Sequence, residues 1–248
     1  MRRFFFPQLS SAIGGDVTLP AELLRHLRTV LRLSPETDIQ LFDGHGRLAQ
    51  ARLQQDFTAK IYEIDEAKPP QISLSLIQGL AKGEKLDWVL QKGTELGVGQ
   101  FVLTQMERSV GRIKNERQEK RLQRWQKIIQ EAARQSAQLW LPQVVVSSSL
   151  SDAVSAADAE LKLMLWEQGS QPLAKILPAQ APESISVIVG PEGGISSCEA
   201  EIARLAGFQP VRLGPRILRT ETAGLAIMSI LQYLYGDLAD IHATCDAT

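Results

Sequence analysis

Cysteine is scarce in this chain: Cys198 and Cys245 are the two present, far apart and outside any paired metal-ligand spacing. That argues against a disulfide framework or a zinc site, so a reduced compartment and no bound metal are expected. Long apolar runs are also missing. The start, Met1-Arg-Arg-Phe-Phe-Phe6, is basic, but Pro7, Gln8 and Ser10 cut it short of the ~7–15 apolar residues of a signal core. Ala223 to Tyr235 is interrupted by Ser229 and Gln232 and falls short of the ~20 residues that cross a bilayer. A cytoplasmic protein without a membrane partner is expected. Net charge is nearly absent as well, at -1, so any nucleic-acid surface must arise from clustering. Two nucleotide motifs are lacking. There is no G-x-G-x-x-G with an acidic residue ~20 positions on, and Gly79-Leu-Ala-Lys-Gly83-Glu-Lys85 only approaches a P-loop. A dehydrogenase or an NTPase is disfavoured.

What is present centres on Ser186 to Gly236. Ile185 to Val189 is a β-branched run that reads as a buried parallel strand, and it stops at Gly190-Pro191. Glu192, Gly193 and Gly194 follow. Ser196 with Glu199 is a capping-box pattern, and Gly207 suits a helix end, so Ser197 to Ala206 is predicted helical. The design then repeats: Val211 to Leu213 as strand, Gly214-Pro215 as its end, and a helix from Thr220 or Glu221 to Leu234. Both loops fall at carboxyl ends of strands, where open α/β sheets bind ligands.

These residues carry a resemblance. Gly190-Pro-Glu-Gly-Gly194, Leu213-Gly-Pro-Arg-Ile-Leu-Arg-Thr-Glu-Thr-Ala223 and Leu165-Trp-Glu167 resemble the three cofactor loops of the bacterial 16S rRNA uridine-N3 methyltransferases (RsmE type) of the SPOUT superfamily. The likeness continues through Gln78-Gly-Leu-Ala-Lys82, Lys92-Gly-Thr-Glu-Leu-Gly97, Glu107-Arg-Ser109, Arg124-Trp-Gln-Lys-Ile128 and Met1-Arg-Arg-Phe-Phe5, nearly the whole chain. It implies an α/β fold, with a SPOUT-type trefoil-knotted parallel sheet domain over 72–248 preceded by a small PUA-like β-barrel domain over 1–68. It further implies S-adenosyl-L-methionine as cofactor, 16S rRNA within the small ribosomal subunit as substrate, and a homodimer. By position in the matching loops, Leu165, Glu167, Gly190, Pro191, Glu192, Gly194, Leu213, Gly214, Ile217, Leu218, Thr220 and Ala223 are the expected cofactor contacts. Glu192 is equally readable as a loop stabiliser.

Upstream, Pro20 suits the first turn of a short helix with an apolar stripe from Leu23 to Leu31. Ile39 to Phe42, Leu48 to Leu53 and Thr58 to Ile64 read as strands, the first two separated by the turn Asp43-Gly-His-Gly46. Arg2, Arg3, Arg25 and His26 gather here as candidate RNA contacts, against the alternative of a solvated face. Glu66 to Gln71, with its paired prolines, is the expected linker. Beyond it the strand Ile72 to Ile77, a helix around Leu86 to Leu96 and the strand Phe101 to Thr104 give a βαβ rhythm. Arg108 to Arg134 holds nine basic residues against three acidic ones, more than ion pairing along a helix requires. Arg108, Arg112 and Arg124 are therefore candidate phosphate contacts. A strand from Leu161 ends at Trp166, and a closing helix apolar nearly all round suits burial on several sides, including a subunit interface.

For chemistry, the expected catalytic residues are Arg219 and Glu221. A uridine N3 must lose a proton before it accepts a methyl group, and the charge spreads onto the flanking carbonyl oxygens, where a guanidinium stabilises it. Arg219 is a poor base because it stays protonated; Glu221 or water takes the proton. The competing structural reading is an Arg219–Glu221 ion pair. Competing functional readings are ribose 2′-O-methylation in the same kind of pocket and a non-catalytic RNA-binding dimer.

Overall fold

The computed structural model describes residues 2–9, 13–110 and 115–239. The chain divides into two compact units, one of residues 1–69 with 133–141, the other of 70–132 with 142–248.

In the first unit, β1 (Arg2–Phe5), β2 (Asp16–Val17), β3 (Asp38–Phe42), β4 (Arg47–Leu53) and β5 (Ala59–Glu66) form one sheet in the order β1-β3-β4-β5-β2, curled as a half-barrel. β1 runs parallel to β3, and the remaining pairs are antiparallel. The strands form because apolar residues alternate to one side: Phe4, Ile39, Leu41, Ala51, Leu53, Ala59 and Ile61 are buried together. Helix α1 (Ala21–Arg25) continues into a π-helical turn over His26–Val30, and Leu27 plugs the same core. Sequence patterning does not reveal β1, whose Arg-Arg-Phe-Phe looks like a basic leader. It becomes a strand because β3 supplies a partner edge and Phe4 a buried position.

The turn between β3 and β4 is built on Asp43, which is buried. Its Oδ1 accepts from the His45 and Arg47 N–H groups at 2.7 and 3.1 Å, and its Oδ2 accepts from Arg47 Nε at 2.7 Å. Burial opposes the Asp43 charge, yet these donors overcome it and hold the carboxyl below its ordinary range.

The second unit carries β6 (Ser73–Gly79), α2 (Lys85–Glu95), β7 (Gln100–Thr104), α3 (Asn115–Ser136, whose last residues belong to the first unit), β8 (Gln143–Ser147), α4 (Leu150–Ser155), β9 (Leu161–Leu165), β10 (Gln171–Pro172), β11 (Ser184–Val189), α5 (Ser197–Leu205), β12 (Gln209–Arg212) and α6 (Thr220–Tyr235). Its seven strands form an all-parallel sheet in the order β10-β12-β9-β11-β6-β7-β8. Such a sheet needs cover on both faces. Ala153 and Val154 of α4 and Ala200 and Ala203 of α5 pack with Ile77, Met164 and Ile188. α6 packs against α2, β6 and β11. Among the described residues no helix is long and apolar enough to cross a membrane.

The capping box is formed as the spacing predicts: Ser196 Oγ accepts from Glu199 N at 3.3 Å, and Glu199 Oε2 accepts from Ser196 N at 3.1 Å. Register is what positions the site. Val189 pairs with Gln78 of β6 and with Leu165 of β9, and Leu165 pairs in turn with Val211 of β12. Four strand ends therefore stand side by side, and the loops leaving them meet.

Candidate functional site

Two adjoining cavities lie at these strand ends. The larger, about 630 Å³, is walled by Trp166 to Gln168, by Val189 to Ile195 and by Ile217 to Thr220 with Ala223, and Lys85 and Arg108 stand at its side. The smaller, about 300 Å³, is walled by Leu165 to Glu167, by Val211 to Leu218 and by Ala223. Trp166, Glu167, Ile217, Leu218 and Ala223 face both. All twelve expected cofactor contacts line one or the other. Gly190, Pro191, Glu192, Gly194 and Thr220 line the larger, Leu165, Leu213 and Gly214 the smaller, and Glu167, Ile217, Leu218 and Ala223 both.

The loops are fixed from behind. The Trp166 indole N–H donates to the Ile195 carbonyl at 3.2 Å, tying the β9 loop to the β11 loop. Thr220 is buried, and its hydroxyl donates to the Gly190 carbonyl at 2.5 Å, tying the start of α6 to the same loop. Glu192 accepts from the Lys82 N–H at 3.1 Å and pairs with Lys85 Nζ at 3.0 Å. Partial burial opposes its charge, but the loop's own backbone, Lys85 and Lys82 outweigh it, so the carboxyl sits below its usual range. These contacts brace the Glu192 loop from the side of Lys82 and Lys85.

Arg219 precedes α6 as its N-cap residue and lines the larger cavity. Among the described residues its guanidinium has neither a hydrogen bond nor an ion pair, so the Arg219–Glu221 pair weighed as the structural alternative is not formed. Glu221 lines neither cavity; its Oε2 is shielded from solvent without a hydrogen-bond partner.

The basic candidates are dispersed. Arg108 stands at the larger cavity and donates from Nη1 to the Gly193 carbonyl at 3.1 Å. Its loop is anchored by Glu199, whose Oε1 accepts from Glu107 N at 2.7 Å while Oε2 completes the capping box. That second use of Glu199 has no sequence signal, because the partners are 92 positions apart. Arg124 is paired with Asp87 of α2. Arg112 lies outside the described residues. In the first unit, Arg2 reaches the Leu31 carbonyl at 3.4 Å, Arg25 is exposed, and the His26 ring meets Phe4 edge-on at 6.3 Å. Arg3 donates to Gln40 Oε1 at 3.2 Å, and burial lowers its pKa.

The cavities have the size of a small-molecule site. Their volumes lie in the range of about 300–1,000 Å³ typical of small-molecule sites. Gly214, at φ 144°, leaves bare backbone facing open space, with nothing within 4 Å of where a Cβ would stand. A parallel sheet with such a pocket at its carboxyl edge, in a chain that also carries a half-barrel unit, defines a two-unit α/β protein with a small-molecule site. Comparison with known proteins gives the family. The model of an RNA methyltransferase domain matches residues 68–232, and that of an RNA methyltransferase PUA domain matches 19–62. The chain belongs to this RNA methyltransferase family, within the SPOUT superfamily.

Among its relatives, the ribosomal RNA small subunit methyltransferase E of Bacillus subtilis is 32% identical, over 94% of this chain and 96% of that one. The crystal structure of a ribosomal RNA small subunit methyltransferase E from Neisseria gonorrhoeae, bound to S-adenosylmethionine, is 37% identical with a TM-score of 0.86, covering 96% of this chain and 99% of that one. A methyltransferase of Legionella pneumophila in complex with the same cofactor superposes with a TM-score of 0.88 at 32% identity, covering 95% and 98%.

Proposed function

We propose that this protein transfers a methyl group from S-adenosyl-L-methionine to N3 of a uridine in 16S rRNA of the small ribosomal subunit. Membership of the family and the cofactor named for two solved relatives support S-adenosylmethionine-dependent rRNA methylation. The observation that carries the finer reading is the Arg219 guanidinium, unpaired among the described residues, on the wall of a cavity built from glycine loops.

Leu165, Gly190, Gly194, Leu213, Gly214 and Leu218 would hold the cofactor through backbone groups, with Trp166 as a wall between the two chambers. When bound, it supplies a methyl group already activated on a sulfonium. The chain's task is to orient the acceptor and stabilise its charge. Arg219 donates to a uracil carbonyl oxygen as the N3 proton leaves, and a water accepts that proton; Glu221, which lines neither cavity, would have to turn toward the substrate to accept it instead. Arg2, Arg3, Arg25, His26, Arg108, Arg112 and Arg124 are the proposed RNA contacts. For Arg124 this requires leaving Asp87.

The trefoil threading belongs to the same reading. Its support is the sheet order, in which β12, the last strand of the chain, inserts between β10 and β9 rather than at an edge. So does the homodimer: Ile230, Tyr233 and Leu234 of α6 remain exposed, at 36%, 63% and 49%, on a helix with little polar surface to present to water.

The test is to incubate the purified protein with S-adenosylmethionine and unmethylated small subunits, digest the rRNA and locate the added mass. A methyl group on a uracil base at N3 supports the reading. Mass on ribose favours 2′-O-methylation, and no cofactor binding by calorimetry favours a non-catalytic RNA binder.

A further inference from the structure

Gln78, at the end of β6, is fully buried. Its Nε2 donates to the Gly79 carbonyl at 3.0 Å and to Thr220 Oγ1 at 2.9 Å, and lies 3.5 Å from the Gly190 carbonyl. The Thr220 proton is committed to Gly190, so toward Gln78 that hydroxyl is an acceptor. This fixes the amide with its nitrogen toward the loops. Oε1 is turned the other way, buried and without a partner, toward Gly224 of α6, where an added Cβ would lie 3.6 Å from it. Leaving a buried carbonyl oxygen unmet destabilises the fold. An apolar side chain of the same length would avoid that cost. What it would lose is the donor group that joins three segments at one point.

We propose that Gln78 is a positioning residue for methyl transfer: its amide locks the Gly190 loop and the first turn of α6 into one frame, which holds the cofactor and aims Arg219. Gln78 touches no reacting atom; it acts through Gly190 and Thr220. The proposal rests on the functional reading above. It explains why a glutamine stands among the buried apolar residues of a parallel strand.

The experiment compares wild type, Gln78→Met, Thr220→Val and the double variant. Calorimetry with S-adenosylmethionine gives affinity, and methylation of small subunits at saturating cofactor gives turnover and the KM for subunits. Each single variant is expected to weaken cofactor binding about tenfold and slow turnover about tenfold, the scale of one lost buried hydrogen-bonding group. The KM for subunits stays unchanged. The double variant falls no lower than the worse single, because the two side chains act as a unit.

Additive losses, a KM for subunits that rises with the loss of turnover, or wild-type affinity and turnover in Gln78→Met would each overturn the proposal. If Gln78→Met does not fold, Thr220→Val carries the test, and wild-type cofactor affinity in that variant overturns it. A wild-type chain that binds no S-adenosylmethionine sinks the functional reading instead.

Discussion

Arg108 lies directly across Gly193. Its Nη1 donates to the Gly193 carbonyl at 3.1 Å, and a Cβ built on that glycine would stand 2.7 Å from the arginine's own Cβ. A side chain at 193 and Arg108 in its present place exclude one another. Gly193→Ala is therefore expected to shift the Glu107 to Ser109 loop and weaken both cofactor and RNA binding by about tenfold, the loss of one charge-assisted hydrogen bond. The melting temperature should stay close to wild type, since the loop is exposed. Calorimetry beside thermal melting checks this; unchanged affinities would show that the loop adapts at no cost.

Arg219→Ala separates chemistry from binding. Arg219 has no partner among the described residues, so its removal breaks no internal bond. Turnover is expected to fall about 10²–10³-fold, as for loss of a preorganised donor to developing charge. Cofactor affinity should change little. Equal losses in both would mean that Arg219 merely holds its loop.

Asp43 supplies a pH prediction for stability. Its carboxyl is held below the ordinary range in the folded chain, so its contribution is present above the unfolded pKa and is lost as pH falls through the lower folded value. Asp43→Asn should cost about 1–3 kcal/mol at neutral pH, because it weakens a buried group that accepts from two backbone N–H groups and Arg47. Urea unfolding at several pH values checks this. The gap between variant and wild type should narrow below the ordinary carboxylate range.

Leu234→Glu tests the proposed subunit interface. Leu234 is half exposed on α6, beside the more open Tyr233. A charge there is expected to shift a dimer toward monomer in sedimentation velocity at micromolar concentration while leaving far-UV dichroism unchanged. A wild-type chain that sediments as a monomer would remove the basis of the interface.

Much of the site could be read from the chain because its loops are continuous peptides. Gly190 to Ser197 and Leu213 to Ala223 each contain their own turn residues and helix start, and the capping box at Ser196 and Glu199 joins residues three positions apart. The tie between Gln78, Gly190 and Thr220 was hidden, since its partners are 112 and 142 positions from Gln78. Arg108 and Arg124 read alike as basic residues near a basic helix. One stands at the cavity and the other pairs with Asp87, because neighbours that are distant in sequence decide where a guanidinium goes. The edge strands β1, β2 and β10 were missed for a related reason: short strands gain their hydrogen bonds from partner edges rather than from their own pattern.

The sequence alone determined the βαβ rhythm, the linker prolines, the two glycine loops and the helix that follows each, since these depend on backbone sterics and local apolar spacing. Only the tertiary structure decided that Leu165, Gln78, Val189 and Val211 stand abreast, that Glu192 is held by Lys82 and Lys85, and that Arg219 has no partner among the described residues. Parallel-sheet register and side-chain pairing are set by which distant segments are buried together, and no local stretch of the chain contains that information.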